Sequence, residues 1–359
     1  MKFETLRIQG LRCLSQVELQ LAPGINVFVG DNGAGKTSLL EGAFLLSHAR
    51  SFRAGPKEVL QQRGASELTI FAEVRRANGS LSRLGLGRGA ARWEARVDGA
   101  AVPIGQLVRE CAVVCFDPGA HALIAGGADE RRRYLDWGVF HVEQSFLTAW
   151  RRYQRALKQR NSLLRLGTSL DEALFAPWEV ELGQSAAQID VQRQTYMDRL
   201  RPKLQASVTG LLPELGELEL RYRRGWADEQ ELQEVLRQQR ARDLRRGHTT
   251  TGAHRADWSL VFENAPLREH LSRGQEKLAA LASMLAQAQL YASDRGEWPV
   301  VCLDDLASEL DQTHQNAVVE QLASSAAQVL LSGTDVPSAL ATMRPAVFHV
   351  EQGAVSRLL

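Results

Sequence analysis

Apolar and polar residues alternate near the start of the chain, over residues 2–8 and 17–21, as they do in half-buried strands. A fully apolar run, Ile25–Val29, follows and has the pattern of a strand buried on both faces. The apolar segment that begins after Thr37 predicts a helix that ends at about Ala49. This order of strand, glycine-rich turn and helix is typical of an α/β fold.

Short β-like runs continue the pattern up to about residue 102. They lie at Leu68–Val74, Leu81–Leu86 and Trp93–Val97, and Asp98-Gly99 follows the last run as a favoured hairpin turn. We predict an antiparallel sheet here, beside the site that the glycine-rich turn forms.

The pattern changes after the buried run Ala112–Phe116. Asp117-Pro118-Gly119 ends the strand pattern, and the residues from about Asp129 to Arg246 are rich in Arg, Gln, Leu and Glu, as in helices. Breaks occur at Gly167-Thr168-Ser169, at Pro177 and over Gly210–Pro213. No heptad register is long enough for an extended coiled coil. We predict an inserted helical lobe over 117–246, and an α/β lobe formed by 1–116 and 247–359.

Strand patterns return after the helical lobe. They lie at Trp258–Phe262, Val300–Leu303, Gln328–Leu331 and Val347–Val350, the last of which is predicted to close the sheet. Between them, a long Ala- and Leu-rich helix is predicted to end near Ser293, and a shorter helix near 313–325. The prediction is therefore a mixed α/β sheet built from both ends of the chain.

The glycine-rich turn reads GDNGAGKT and matches the phosphate-loop pattern in its strand-then-helix context. Glycines let the backbone curl so that successive N–H groups point at a polyphosphate, and the helix start adds its positive dipole end. Lys36 is expected to reach the β- and γ-phosphates, and the Thr37 hydroxyl to bind Mg²⁺. The predicted nucleotide-binding residues of the loop are Gly30, Asp31, Asn32, Gly33, Ala34, Gly35, Lys36 and Thr37.

An acid pair, Asp304-Asp305, directly follows the apolar run Val300–Leu303. In a parallel sheet the carboxyl ends of strands meet the bound nucleotide, so an acid at this place can bind Mg²⁺. We assign Asp304 as the metal carboxylate together with Thr37, and Asp305 as the group that polarises an attacking water. Lys36, Asp304 and Asp305 are the predicted catalytic residues.

A helix start lies at Leu271–Gln275, which reads LSRGQ. Helix starts with Ser and Gly attract anions through their N–H groups, although a plain N-cap is the ordinary alternative. The order of phosphate loop, long insertion, LSRGQ, acid pair and Ser308–Asp311 resembles that of an ABC-type ATPase head, and this resemblance favours anion binding. Ser272, Gly274 and Gln275 are therefore predicted to contact nucleotide.

Composition limits the function classes. The chain has 359 residues, 44% of them hydrophobic and 24% charged, with a net charge of +1, so nucleic-acid contact would have to come from local patches. No apolar run reaches membrane-spanning length and no signal peptide is evident, which predicts a cytoplasmic protein with no membrane partner. Three of the four cysteines, Cys111, Cys115 and Cys302, lie in apolar runs that read as strands and are predicted to be buried free thiols.

Together these residues resemble one family, the RecF family within the ABC-type ATPase heads that include SMC proteins. The resemblance spans nearly the whole chain, and the segments that carry it are GDNGAGKTSLLEG, Ser51-Phe52-Arg53, Arg131-Arg132 with Tyr134-Leu135-Asp136, Gln159-Arg160-Asn161, Thr251–Arg255 with Asp257, LSRGQ and LDDLASELD. Ser38, Gly42 and Ala253 depart from the family's usual Asn, Ala and Pro, and none of them is a phosphate or metal ligand.

The resemblance implies an ABC-type P-loop ATPase head with ATP and Mg²⁺ as cofactors. It implies an ATP-dependent homodimer in which Ser272 and Gly274 meet the nucleotide of the partner chain. It further implies a weak, DNA-stimulated ATPase of recombinational repair, replication restart and the SOS response. Such a protein binds single- and double-stranded DNA at gaps and helps load recombinase with RecR- and RecO-like partners. Asp305 stands where transporter-type heads have Glu, so slow hydrolysis is expected.

Several weaker candidates follow from the same comparison. Arg12 lies where related heads place a basic residue near nucleotide, and Thr334 lies where many place a His that senses the γ-phosphate. His254-Arg255 is expected either near the dimer surface or the nucleotide, with a packed, hydrogen-bonded histidine as the ordinary alternative. The family's glutamine near Mg²⁺ stays unassigned, because nothing local separates Gln61 and Gln62 from ordinary surface residues.

Arginine clusters in the helical lobe are candidates for DNA contact, and helical spacing places Arg151, Arg155 and Lys158 on one face. The four clusters are Arg131–Arg133; Arg151, Arg152, Arg155, Lys158, Arg160 and Arg165; Arg221, Arg223 and Arg224; and Arg237, Arg240, Arg242, Arg245 and Arg246. Each is equally typical of a solvated surface, so the contact residues stay open.

Alternative functions are an SMC-like DNA tether or a phage-defence ATPase. A tether would need two long coiled-coil arms, and a defence ATPase would need a nuclease domain after the acid pair. The insertion is too short for such arms, and about 50 residues after Asp305 leave no room for a nuclease.

Overall fold

The computed structural model describes residues 1–53, 60–89, 92–167, 172–340 and 343–358. The strands are β1 (Lys2–Leu11), β2 (Leu14–Gln20), β3 (Ile25–Val29), β4 (Leu68–Arg75), β5 (Leu81–Arg88), β6 (Trp93–Val97), β7 (Ala100–Val102), β8 (Val113–Phe116), β9 (Leu218–Arg223), β10 (Asp257–Phe262), β11 (Val300–Leu303), β12 (Val329–Gly333), β13 (Ala346–Glu351) and β14 (Ala354–Arg357). The α-helices are α1 (Lys36–His48), α2 (Ile104–Glu110), α3 (Ala122–Ala125), α4 (Ala128–Val142), α5 (Phe146–Leu166), α6 (Ala176–Leu211), α7 (Leu232–Gln238), α8 (Arg240–Arg246), α9 (Arg273–Arg295), α10 (Leu306–Glu309) and α11 (Gln312–Ala323).

The chain divides into two compact units. The first comprises Met1–His121 and Arg273–Leu359, and the second Ala122–Ser272. The second unit therefore extends further along the chain than the insertion predicted over 117–246.

One sheet of the first unit is antiparallel and has the order β2-β1-β4-β5-β6-β7. Alternating side chains of β1 are buried, and Ile8 lies opposite Val17 on one neighbour and Ile70 on the other. The predicted hairpin turn is present, because Asp98 and Gly99 have φ angles of 51° and 84°, as a two-residue turn between twisted strands requires.

The second sheet of this unit has the order β14-β13-β3-β12-β11-β8 and is parallel except for the edge strand β14. Strands β8, β11 and β12 are buried along their whole length, which explains their continuous apolar sequences. β12 lies between β3 and β11. The residues that follow β3 and β11 therefore approach each other across the carboxyl end of β12.

The second unit is helical around a two-stranded antiparallel sheet. β9 and β10 pair from Leu218 opposite Phe262 to Arg223 opposite Asp257. The prediction of helix throughout 129–246 was wrong at β9, because this strand is stabilised by a partner more than thirty residues away. β10 belongs to the same sheet and so to the second unit.

Other boundaries also differ from the predictions. Pro177 lies in the first turn of α6, where its missing N–H costs nothing, and does not break the helix. Gly210 lies inside α6, while Thr168 and Ser169 fall outside the described residues. The sequence patterns also missed α2 and the edge strand β14.

The cysteines are all free thiols, and Cys111, Cys115 and Cys302 are buried as predicted, although Cys111 caps α2 instead of lying in a strand. Cys13 is exposed. Within the described residues, no helix is both long enough and apolar enough to cross a membrane.

Candidate nucleotide site

The phosphate loop lies between the end of β3 and the first residue of α1. Gly30, Gly33 and Gly35 have φ angles of 153°, 84° and 119°, which side chains rarely adopt. A Cβ atom on Gly30 would lie 2.1 Å from the carbonyl oxygen of Val350, so the loop can pass β13 only with glycine at this position. The Gly353 N–H donates to the carbonyl oxygen of Ala34 at 2.8 Å and holds the loop from its far side.

Lys36 is nearly buried and is bound by its own loop. Its Nζ donates to the carbonyl oxygens of Gly30 at 2.5 Å and Asp31 at 2.9 Å. Both acceptors are neutral, and the loop tip at Asp31–Gly33 is exposed. The ammonium group is thus positioned at the loop by contacts that a polyphosphate can replace.

Thr37, after the loop that follows β3, and Asp304, directly after β11, are in contact at the carboxyl end of the parallel sheet. The Thr37 hydroxyl donates to Asp304 Oδ1 at 3.0 Å, although the two residues are far apart in sequence. Ser332, at the end of β12, donates to the same carboxylate oxygen at 2.6 Å and accepts from the Asp305 N–H at 3.0 Å. The Ser332 hydroxyl therefore connects both acids to the strand that lies between β3 and β11.

Burial raises the pKa of Asp304 above its ordinary value, while the hydrogen bonds from Ser332 and Thr37 and the charge of Arg53 act in the opposite direction. The side chain is almost fully buried and its hydrogen-bond donors are neutral hydroxyl groups. A cation beside this carboxylate would favour its ionised form. The electrostatics fit a site for a metal ion.

Asp305 starts α10 with a left-handed backbone, φ 52° and ψ 45°. Its Oδ2 accepts a 2.7 Å hydrogen bond from the Ser308 hydroxyl, which holds the carboxylate in one direction. This conformation is costly for a residue other than glycine. The two consecutive acids thus have different surroundings: Asp304 is buried and Asp305 is partly exposed.

Glu41 is a charged residue of the site region that the sequence analysis did not single out. It lies in α1, is fully buried, and accepts two hydrogen bonds from Arg12 at 3.0 and 2.8 Å. The Ser51 hydroxyl also donates to it, and Arg53 lies 3.8 Å away. A lone acid inside the apolar helix, followed by Ser51-Phe52-Arg53, was the available signal. Glu41 therefore links Arg12 and the Ser51–Arg53 segment to the helix of the phosphate loop.

Leu271–Gln275 lies at the start of α9, where Ser272 and Gly274 are exposed and Gln275 is partly exposed. Further along α9, Lys277 forms a 2.7 Å ion pair with Glu309 of α10, which directly follows the acid pair. The first turn of α9 and the helix after Asp305 are therefore connected within the first unit.

The weaker candidates have ordinary contacts. Gln61 donates to the carbonyl oxygen of Ala65 at 2.7 Å, and Gln62 to the Ser15 hydroxyl at 2.9 Å. Thr334 is exposed. His254 contacts the Tyr153 hydroxyl at 2.7 Å and the Thr249 carbonyl oxygen at 3.1 Å, and burial lowers its pKa to about 4. His254 thus has the contacts of a packed, neutral histidine.

Many of the family motif residues in the helical lobe form internal ion pairs. Arg131 binds Asp257 through two hydrogen bonds of 2.7 and 3.1 Å, and Arg193 binds Asp136 at 2.8 and 3.0 Å. Arg160 is fully buried, as is its partner Asp243. Arg131 and Arg160 are therefore engaged in ion pairs within the second unit and are not available to DNA.

The other members of the four clusters divide by exposure. Arg132 donates to the Ala256 carbonyl oxygen, Arg240 is buried against Glu179, and Arg224 lies over the Trp226 ring. Exposed members with an acidic partner are Arg133, Arg152, Arg221, Arg223 and Arg237. Exposed members with no hydrogen bond or ion pair to the described part of the chain are Arg151, Arg155, Lys158, Arg165, Arg242, Arg245 and Arg246.

Comparison with known proteins agrees with this geometry. Residues 5–49, which include the phosphate loop, match the family model described as an AAA domain. The chain is 45% identical to the DNA replication and repair protein RecF of Xanthomonas euvesicatoria, over 98% of this chain and 97% of the relative. It is 45% identical to RecF of Stenotrophomonas maltophilia over 99% of both chains, and 39% identical to RecF of Pseudomonas putida over 99% and 98%.

Solved structures give the same assignment. A structure described as the recombination mediator protein RecF with ATPrS in the RecFOR pathway has a TM-score of 0.88 and 25% identity, covering 100% of this chain and 98% of that chain. An SMC head bound to a winged-helix domain of ScpA has a TM-score of 0.59 at 14% identity, over 100% and 97%, and shares the fold. The predicted ABC-type head with a mixed sheet is thereby confirmed. Because curated relatives are 39–45% identical over nearly their full length, the chain belongs to the RecF family.

Proposed function

We propose that this protein is a switch of recombinational repair that dimerises on ATP and binds DNA as a dimer. The observation that carries the proposal is the 3.0 Å contact between Thr37 and Asp304 at the end of the phosphate loop. It joins a phosphate-binding motif to a buried carboxylate, which is the arrangement that an ATPase needs. The names of the relatives, DNA replication and repair protein, support the DNA part of the proposal.

The residues present fit ATP and Mg²⁺. The loop offers backbone N–H groups and Lys36 to the phosphates, and Thr37 Oγ1 and Asp304 Oδ1 are hard oxygen ligands of the kind that Mg²⁺ prefers. When bound, Mg²⁺ neutralises the negative charge on the phosphate oxygens. A solved relative carries ATPrS in its description, which supports the nucleotide class.

The chain's own residues supply the remaining chemistry. Lys36 leaves the carbonyl oxygens of Gly30 and Asp31 to bind phosphate, which exchanges two neutral acceptors for a charged one. Asp305, whose carboxylate Ser308 orients, polarises the attacking water. Hydrolysis is slow, because the aspartate carboxylate is one methylene shorter than the glutamate of transporter-type heads.

Dimerisation follows from the number of motifs. Each chain has one phosphate loop and one LSRGQ segment, and the exposed Ser272 and Gly274 are accessible to another chain. We infer that two chains enclose two ATP molecules, each held by Lys36, Thr37 and Asp304 of one chain and by Ser272, Gly274 and Gln275 of the other. ATP closes the dimer around gapped DNA, and hydrolysis releases it.

The biological setting of the proposal is the bacterial cytoplasm. There the dimer binds single- and double-stranded DNA at gaps, is stimulated by DNA, and works with RecR- and RecO-like partners to load recombinase, which supports replication restart and the SOS response. A solved relative described as a mediator in the RecFOR pathway supports these partners. An SMC-like tether is disfavoured, because the longest helix among the described residues, α6, spans only 36 residues.

Size-exclusion chromatography with and without ATP tests the dimer. Wild type should shift from monomer to dimer with ATP, while Lys36→Arg and Ser272→Arg should stay monomeric. Binding of a fluorescent ATP analogue separates the two variants, because Lys36→Arg should lose nucleotide and Ser272→Arg should keep it. A dimer that forms equally without ATP, or that Ser272→Arg leaves unchanged, contradicts the mechanism.

A further inference from the structure

Helix α5 is a strongly basic surface element of the second unit. Over its 21 residues it has six Arg or Lys residues and no Asp or Glu. Arg160 is buried, and the other five are exposed; these are Arg151, Arg152, Arg155, Lys158 and Arg165. Helical spacing puts Arg151, Arg155 and Lys158 on one face, with a rise of about 6 Å between the first two and about 10 Å from first to last. This face suits a linear polyanion.

A cleft opens beside this face, between α5 and the first turns of α6. Its volume is about 330 Å³, and its lining consists of Arg152, Arg155, Ala156, Pro177, Trp178 and Glu181. A volume of this size is at the lower end of small-molecule pockets, roughly 300–1,000 Å³. Trp178 is only half-buried, so part of its ring is accessible to a ligand.

The two arginines of the cleft differ in their contacts. Arg152 binds the Glu181 carboxylate through two hydrogen bonds of 2.6 and 3.1 Å, and this contact lowers the pKa of Glu181. Arg155 makes no hydrogen bond or ion pair within the described ranges of the chain. The cleft therefore combines one neutralised ion pair, one available guanidinium group and one aromatic ring.

We propose that this cleft binds one unpaired nucleotide of single-stranded DNA, with the base on Trp178, its phosphate on Arg155, and the flanking phosphates on Arg151 and Lys158. The proposal rests on the DNA-binding function proposed above and names a site for it. Aromatic rings stack on any base, and exposed arginine and lysine bind the backbone, so such a site has little sequence preference.

An unpaired strand fits these features better than a duplex or an acidic peptide. Bases in a duplex are stacked inside it and cannot reach a ring in a cleft. An acidic peptide would complement the charge of α5, but it offers no repeating planar group for Trp178. A single strand supplies both a regular line of phosphates and exposed planar bases.

The test is fluorescence anisotropy with three labelled ligands of equal length: a single-stranded oligonucleotide, its abasic counterpart, and a duplex. The variants are Trp178→Ala, Trp178→Phe and Arg155→Ala. The matched controls are Trp226→Ala, another partly exposed tryptophan of this unit, and Arg96→Ala, an exposed arginine of the first unit. Circular dichroism and binding of a fluorescent ATP analogue verify that each variant is folded.

Trp178→Ala should weaken single-strand binding about fivefold or more, since one stacked base is lost, and Trp178→Phe should retain most of it. The same Trp178→Ala change should alter abasic and duplex binding less than twofold. Arg155→Ala should weaken binding of the single strand and of its abasic counterpart, and reduce the slope of log affinity against log salt by about 0.7. Both controls should stay within twofold.

The inference is overturned if wild type binds abasic and normal strands equally, or if Trp178→Ala matches wild type on the normal strand. Competition with an acidic peptide is a second way to overturn it. If the peptide displaces both strands equally well from wild type, and neither strand from Trp178→Ala, then the cleft binds the peptide and not a base. Failure of wild type to bind any DNA would instead refute the proposed function. Size-exclusion chromatography separates this failure from a failure of the cleft proposal, because Trp178→Ala should still dimerise with ATP.

Discussion

Arg160 of the second unit and two charges at the nucleotide site of the first unit, Lys36 and Asp304, are all buried, and their partners differ. In the second unit, Arg160 donates to Glu179, Asp243, Thr249 and the Leu236 carbonyl oxygen, so a carboxylate matches its charge and its N–H groups are satisfied. In the first unit, Lys36 is held by two neutral carbonyl oxygens and Asp304 by two neutral hydroxyl groups. Removing one partner of a buried ion pair leaves the other charge uncompensated, whereas a charge with neutral partners is available to a charged ligand.

The sharpest way to break this comparison is to remove Arg160. Arg160→Ala leaves Asp243 as a buried carboxylate without its cation, while Glu179 keeps Arg240, and should lower the free energy of unfolding by about 3–5 kcal/mol. Urea unfolding measures it. The control is Arg152→Ala at the exposed pair with Glu181, which should leave the urea midpoint almost unchanged. Equal effects of the two substitutions would contradict the view of Arg160 as a structural charge.

Asp304 should behave in the opposite way. Asp304→Asn keeps the shape but removes the buried charge, so it should raise the unfolding temperature at neutral pH while lowering ATP turnover at least a hundredfold. Since burial raises the pKa of Asp304, its folding contribution is fully present below the unfolded pKa and is lost as pH rises through the folded pKa. Calorimetry at pH values between the unfolded and the folded pKa of Asp304 should show a flatter pH dependence of the unfolding temperature for Asp304→Asn than for wild type. A lower unfolding temperature of this variant at neutral pH would refute the view that the buried Asp304 charge destabilises the fold.

His254 offers an intermediate effect in the second unit. Its pKa is lowered to about 4, so the neutral form is favoured in the folded state. The stability is present above the unfolded pKa of about 6.5 and is lost as pH falls toward 4, with a cost of about 2 kcal/mol by pH 5. His254→Gln should remove this loss, which parallel urea titrations at pH 7 and pH 5 would detect. An equal acid loss in both proteins would exclude His254 as its source.

The smallest expected effects concern the orientation and length of one carboxylate. Ser308→Ala removes the 2.7 Å hydrogen bond to Asp305 and should lower kcat for ATP several-fold with KM unchanged. Asp305→Glu should raise the turnover rate, because the longer side chain restores the reach of transporter-type heads. Steady-state ATPase assays with DNA present measure both. An unchanged rate in Asp305→Glu would remove side-chain length as a reason for the slow hydrolysis proposed above.

The sequence predicted the parts of the site that depend on local patterns. The phosphate loop follows from eight consecutive residues, and Asp304 from its place after a buried strand. Ser332 was missed because its role depends on β12 lying between β3 and β11, which no local pattern specifies. Glu41 was missed because its charge is balanced by Arg12, whose position depends on the turn between β1 and β2.

The same reasoning explains the errors in the second unit. β9 lies within charged, helix-like sequence, and its short alternation of apolar and polar residues was missed; β10 pairs with it from end to end. The arginine clusters were counted by sequence spacing, but Arg131 and Arg160 face acids from distant segments. Contacts between residues that are distant in sequence decide which charges are internal, and the periodicity of the sequence does not reveal these contacts.

The hydrogen bond from Gly353 to Ala34 has a consequence for the order of events during synthesis. β3, which leads into the phosphate loop, is bordered by β12 and β13, and its loop is held by Gly353. Ribosomes add about 5–20 residues per second, so roughly tens of seconds pass between translation of Thr37 and of its supporting strands. A nascent chain would carry the complete motif early, yet it would acquire a formed nucleotide site only when these last strands have left the ribosome.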